Sequence, residues 1–140
     1  MTFLLDTNVI SELRRPQRAA TSVMNWVSTQ AESLLWCSVV SILELEIGAL
    51  RALRRDKLRG TMLRTWLDEQ VLPRFQDRIL PIDTAVALKC AALHVPNPRS
   101  DRDAYIAATA LVRGLTVVTR NTQDFQPTGV RLINPWMAAS

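Results

Sequence analysis

Thr2-Phe3-Leu4-Leu5-Asp6-Thr7-Asn8-Val9-Ile10-Ser11-Glu12 opens the chain. Its apolar run is too short for a helix and stops at Asp6-Thr7-Asn8, after which polar and apolar residues mix. That pattern predicts a buried strand leading into a helix. Asp6 then stands at the carboxyl end of a central strand, the end at which open α/β sheets bind their ligands. A carboxylate there is placed to hold a metal or to act as a base. Taken alone, Asp6 has a second reading as the cap of the following helix, a position that Asp favours.

Three later segments repeat the arrangement. Ser33-Leu34-Leu35-Trp36-Cys37-Ser38 predicts a second buried strand, and just beyond it Ser41-x-x-Glu44 has the capping-box spacing that opens a helix. Glu44 is explained either by that backbone role or by a place in the same crevice as Asp6. Glu46, roughly 200° further round the helix, cannot serve the same site. Asp103 sits at the start of Ala104-Tyr105-Ile106-Ala107-Ala108-Thr109-Ala110-Leu111-Val112, a helix apolar nearly all round and closed by Gly114. The helix dipole stabilises a carboxylate there. Ser100-x-x-Asp103 is again a possible capping box, and Asp101 stays open between capping and the site. Leu115-Thr116-Val117-Val118-Thr119 is the clearest strand, β-branched and uncharged, and it runs into Arg120-Asn121-Thr122-Gln123-Asp124.

Between these segments the periodicity predicts helices over 9–15, stopped by Pro16, and over about 19–30. Two more, from the Ser41 capping box to about 57 and from 61 to about 71, divide at Gly60 and form an antiparallel arm across the sheet edge. Arg51, Arg54 and Arg55 on this arm face water, RNA or a partner protein. Ile79-Leu80-Pro81-Ile82 allows only a short edge strand, Asp83 caps a helix through Leu93, and Val130-Arg131-Leu132-Ile133 is a last strand.

With 140 residues, 48% of them apolar and 21% charged, the chain is long enough for one well-buried globular domain, residues 1–140. The net charge is +4, and the basic side is almost all arginine, with Lys57 and Lys89 the only lysines. Arginine grips phosphate bidentately, which favours nucleic-acid or acidic partners. Cys37 and Cys90 lie in apolar surroundings without ligand spacing and read as small core residues in a reducing compartment. A single histidine, His94, near a helix end, argues against a zinc site of the His/Cys kind. No basic leader precedes the apolar start and no apolar run approaches membrane-spanning length, so a soluble, cytoplasmic protein without a membrane partner is expected.

Strands alternating with helices imply an α/β fold with a parallel sheet covered on both faces. Asp6, Glu44, Asp103 and Asp124 then share one rim. Close together and unneutralised, four carboxylates repel one another and drive their own pKa values up. A divalent cation removes the conflict, and oxygen donors alone suit Mg²⁺ or Mn²⁺. Setting the four acids aside leaves a formal charge of +8 from the net +4. An acidic metal pocket in a basic protein is the charge layout expected of a nuclease.

The ordered set Leu4-Leu5-Asp6-Thr7-Asn8-Val9-Ile10-Ser11-Glu12, Ser41-x-x-Glu44-Leu45-x-x-Gly48, Asp103-Ala104-x-Ile106-Ala107-Ala108-Thr109-Ala110, Val118-Thr119-Arg120-Asn121-x-x-Asp124-Phe125 and Leu132-Ile133-Asn134-Pro135-Trp136 resembles the PIN-domain toxins of the VapC/FitB type over essentially the whole chain. The resemblance implies a PIN-like fold, a central parallel sheet flanked by helices with a helical-hairpin arm. It implies a Mg²⁺- or Mn²⁺-dependent endoribonuclease, the toxin of a VapBC-type toxin–antitoxin pair, that dimerises and is inhibited by a small DNA-binding antitoxin. Its substrate would be RNA, with a specific tRNA or another structured RNA as the choices. By position, Asp6, Glu44 and Asp103 are the core acidic ligands and Asp124 the fourth. Asn8 and Asn121 hold the surrounding water. Many relatives carry an acid where Asn121 stands, which leaves the fourth ligand open between Asn121, through water, and Asp124. The mechanism implied is hydrolysis of an RNA phosphodiester by metal-activated water, with Asp6 and Asp103 holding the metal and Glu44 lending base character.

Two other classes compete. One is the same fold as a non-catalytic partner of a DNA-binding antitoxin. The other is an acid-pocket receiver domain or aspartyl phosphohydrolase, which the absence of a late-strand lysine and the presence of Asn8 in place of a second Asp argue against.

Overall fold

The computed structural model describes residues 1–137. Its centre is a sheet of five parallel strands, β1 (Phe3–Leu5), β2 (Leu35–Ser38), β3 (Ile79–Leu80), β4 (Thr116–Val118) and β5 (Leu132–Ile133), in the order β3-β2-β1-β4-β5. β1 is therefore the middle strand. The chain first builds outward from it to β2 and β3, then crosses back to β4 and β5. The β1/β4 junction is thus the point where strand order reverses, and it is where a crevice opens at the carboxyl ends.

Side chains alternate across this sheet as the pleat requires. Phe3, Leu5, Leu35, Cys37 and Val118 point into one buried cluster, together with Val9, Ile10, Val23 and Val27 from α1 (Thr7–Glu12) and α2 (Thr21–Thr29). Leu4 and Val117 point into the opposite cluster with Ile106, Ala107 and Ala110. Those last residues belong to α7 (Asp101–Arg113), whose buried alanines let the helix lie close to the sheet. Both layers are covered, which explains why the strands carry no polar face. Cys37 and Cys90 are free and buried, as small core residues.

Several boundaries differ from the sequence expectation for identifiable reasons. α1 ends at Glu12, short of Pro16, because the Glu12 carboxylate accepts from the Ala20 backbone N–H at 2.7 Å and turns the chain back. α3 (Val39–Arg55) starts immediately after β2, with Ser38 as its cap, accepting from the Val40 N–H at 3.0 Å. Ser41-x-x-Glu44 is therefore not a capping box; both residues lie inside the helix. Ser100 likewise makes no side-chain cap bond at the start of α7.

The arm is a hairpin of α3 and α4 (Lys57–Trp66), and its break falls at Asp56 and not at Gly60. Asp56 caps α4 by accepting from the N–H groups of Leu58 and Arg59. Gly60 lies within α4, where a Cβ would meet the Leu53 backbone at 2.4 Å. The second fastening is Arg64, which reaches Glu46 at 2.5 Å. With Leu53 against Gly60 near the turn and Glu46 against Arg64 further from it, the two helices run antiparallel. A wide π turn over Leu67–Val71 and the short α5 (Leu72–Arg74) then lead towards β3, and α6 (Thr84–Leu93) packs beside α7 with Asp83 as its cap. No helix among the described residues is long and apolar enough to cross a membrane.

Candidate metal centre

Asp6 leaves β1 with its backbone N–H bonded to the Val118 carbonyl at 2.9 Å, which fixes its side chain at the β1/β4 junction. One carboxylate oxygen accepts from the Thr7 N–H at 2.8 Å and so begins α1. The other accepts from the Thr119 hydroxyl at 2.7 Å and, at 3.4 Å, from the Asn8 amide. Capping and site position therefore coexist in Asp6. A carboxylate offers about four acceptor positions, and these three donors leave room for a cation.

Glu44 comes from the second turn of α3. Its Oε1 lies 2.9 Å from the Thr7 hydroxyl, which is also 2.9 Å from the hydroxyl of buried Ser41. Its Oε2 lies 3.6 Å from the Arg102 guanidinium. Glu46, on the other side of the helix, is engaged by Arg64. Asp103 enters from the first turn of α7, half-buried. Asp6, Glu44 and Asp103 line one cavity of about 450 Å³ together with Asn8, Glu12, Arg120, Asn121 and Trp136. Asp124, in the short α8 (Thr122–Phe125), does not line it, yet its charge acts on both Asp6 and Asp103. Asp101 does not join this group: its exposed carboxylate lies 3.5 Å from His94 at the end of α6.

Electrostatics register the crowding. Burial pushes the Asp6 carboxyl up, the Thr119 and Thr7 donors pull it back, and the charges of Glu44 and Asp124 raise it again. Asp103 is pushed up to about 6, by burial first and then by Asp6, Asp124 and Glu44. Each of these acids is thus harder to ionise than an isolated one, and a cation would reverse that. The all-oxygen donor set fits Mg²⁺ or Mn²⁺ and not a soft metal. Among the described residues no group of three or more His, Cys, Asp or Glu side chains is gathered at metal-holding distance, so a cation here would draw the carboxylates in or reach them through water. An open, partly hydrated site is what Mg²⁺ ordinarily uses.

Sequence reasoning gave Thr7, Thr119, Arg102 and Arg120 no role in the site and gave Ser41 only a capping one. Thr119 carries the one available signal: it ends the clearest strand and stands next in line to face the crevice. A second groove of about 290 Å³ continues past Thr7 and Glu44 and is lined by Arg14, Arg51 and Arg102. The acids are thereby bordered by guanidinium groups.

Known proteins share this arrangement of elements. The family model described as PIN domain matches residues 3–129. The chain is 38% identical to VapC ribonuclease Y4jK of Sinorhizobium fredii, over 97% of this chain and 99% of that one. It is 37% identical to toxin FitB of Neisseria gonorrhoeae, over 95% and 97%. Among solved structures, FitAB bound to an IR36 DNA fragment superposes with a TM-score of 0.87 at 33% identity, covering 99% of each chain. With the family model matched over residues 3–129 and relatives 37% and 38% identical along nearly the whole of both chains, the chain belongs to the PIN domain family.

Proposed function

We propose that this chain is a metal-dependent endoribonuclease, the toxin of a VapBC-type pair, acting in the cytoplasm as a homodimer and restrained by a small DNA-binding antitoxin. The observation that carries the reading is the meeting of Asp6, Glu44 and Asp103 in one cavity of a protein with net charge +4. The names of the relatives, a ribonuclease and a toxin, and the DNA-bound FitAB assembly support the substrate and the partner.

Asp6 and Asp103 would hold the cation, Mg²⁺ or Mn²⁺, with Asp124 or Asn121 completing its surroundings. When bound, such an ion activates water and stabilises the leaving oxygen. Thr119 and the Thr7 N–H orient the Asp6 carboxylate from below. Glu44, steadied by the Thr7 hydroxyl, is placed to take a proton from the attacking water. Arg14, Arg51 and Arg102 line the approach and attract the flanking phosphates.

The test is incubation of the antitoxin-free protein with total cellular RNA in Mg²⁺, in Mn²⁺ and in EDTA. Cleavage should require metal and vanish in Asp6→Asn with the fold retained. Glu44→Gln should slow it by about 10²–10⁴-fold. Metal-independent cutting, or equal cutting by Asp6→Asn, would refute the assignment. A folded protein that binds metal but cuts no RNA would instead be the non-catalytic partner of an antitoxin.

A further inference from the structure

Arg120 and Trp136 stand on the wall of the acidic cavity, outside the carboxylate group. Arg120 is exposed and, although Asp6, Glu44 and Asp103 line the same space, it pairs with none of them. Its guanidinium carbon lies 5.2 Å from the centre of the Trp136 ring instead. Trp136 itself is half-buried. The pair therefore offers an aromatic face and a guanidinium group to whatever enters the cavity.

The mounting of this pair is rigid. Asn134 Oδ1 accepts from the Trp136 backbone N–H at 3.0 Å, and the Trp136 carbonyl accepts from the Ser22 hydroxyl of α2 at 3.2 Å. Its ring also packs against the core cluster. On the other side, the Arg120 N–H donates to Asn8 Oδ1 at 3.4 Å, one residue past Thr119. Through Arg120 this cation–π pair is thus tied to the two segments that hold Asp6, the start of α1 and the end of β4. RNA is read chiefly through unstacked bases that lie on aromatic rings or guanidinium planes.

We propose that Arg120 and Trp136 form a stacking subsite for one base of single-stranded RNA, adjacent to the scissile phosphate. This rests on the ribonuclease reading above. The base lies on the guanidinium or displaces it from the indole, and the arginine charge meets the same nucleotide's phosphate. The surface accepts any base face, so it positions the strand more than it selects sequence.

Binding is measured in the full-length Asp6→Asn background with Mg²⁺. The probes are a fluorescent single-stranded oligoribonucleotide of mixed sequence and its counterpart with abasic riboses. Trp136→Leu should weaken binding of the base-bearing strand by about tenfold and leave the abasic strand nearly unchanged, whereas Trp136→Phe should stay within about threefold. Arg120→Lys, which keeps the charge and loses the plane, should follow Trp136→Leu and guards against a folding defect in the latter. Equal losses on both strands, or no loss on either, would overturn the subsite. With Asp6 intact, RNA cut at unchanged KM by Trp136→Leu overturns the subsite alone. A wild-type protein that neither binds nor cuts RNA overturns the ribonuclease reading as well.

Discussion

Thr119 is the residue on which the state of Asp6 depends most directly. Its hydroxyl is fully buried, donates to Asp6 at 2.7 Å and accepts from the Asn121 N–H at 3.0 Å. Hydrogen bonds to charged groups contribute about 1.5–3 kcal/mol, and this one opposes the burial that raises the Asp6 carboxyl. Thr119→Val keeps the shape but strips both roles. It should lower thermal stability by an amount in that range, push the Asp6 carboxyl further up and weaken Mg²⁺ binding, while Thr119→Ser should restore most of each. Calorimetric titration with Mg²⁺ and a melting curve of each variant check this. An unchanged affinity in Thr119→Val would show that Asp6 is oriented by the Thr7 N–H alone.

At the scale of elements, the two glycines of the arm behave oppositely. A Cβ on Gly60 would sit 2.4 Å from the Leu53 backbone, so Gly60→Ala must push α4 off α3. Overpacking of that kind costs about 1–3 kcal/mol. Gly48, within α3, has nothing within 4 Å of an added Cβ. There alanine simply removes glycine's excess flexibility, and Gly48→Ala should stabilise by up to about 1 kcal/mol. Urea denaturation of the two variants distinguishes the cases, and equal shifts of one sign would contradict the hairpin packing. The arm matters to the site because α3 carries Glu44 beneath the Thr7 hydroxyl, and the Gly60 and Arg64 contacts hold α3 in place.

For the whole molecule the acid cluster makes stability depend on pH and cation together. Asp103 is raised to about 6 and Asp6 is raised as well. A raised carboxyl binds its proton more tightly folded than unfolded, so its stabilising contribution is complete below the ordinary carboxylate range and is lost as pH rises through about 6. Glu32 and Glu46, held low by Arg74 and Arg64, lose their contributions only as pH falls below the ordinary glutamate range. Between pH 5 and 7, in roughly that window, the acid cluster dominates. In EDTA the melting temperature should fall across it, Mg²⁺ should raise it more at the upper end than at the lower, and Asp103→Asn should flatten the slope. Calorimetry in EDTA and in Mg²⁺ checks this, and a melting temperature that rises with pH in EDTA would contradict the crowding of the acids.

Local patterns in the chain were enough for the strands, the covered parallel sheet, the helical arm and the family, because each depends on short-range signals. An uncharged run such as Leu115–Thr119 can only be a buried strand, and Asp6 directly after Phe3–Leu5 must appear at a strand's carboxyl end. The separation of Glu44 from Glu46 also followed from helical geometry alone. Tertiary structure decided what depends on contacts between distant residues. Ser41 and Glu44 have capping-box spacing, yet Ser38 caps the helix and turns them towards Thr7, some 34 and 37 positions away. Gly60 looks like a break and is a packing contact, because only Leu53 makes its missing side chain necessary. Asp101 and Asp103 are indistinguishable by position, but two residues on a helix point to different sides, one to His94 and one to the acidic cavity. Spacing along a chain determines which side chains share an element's face, and packing across the sheet determines what those faces meet.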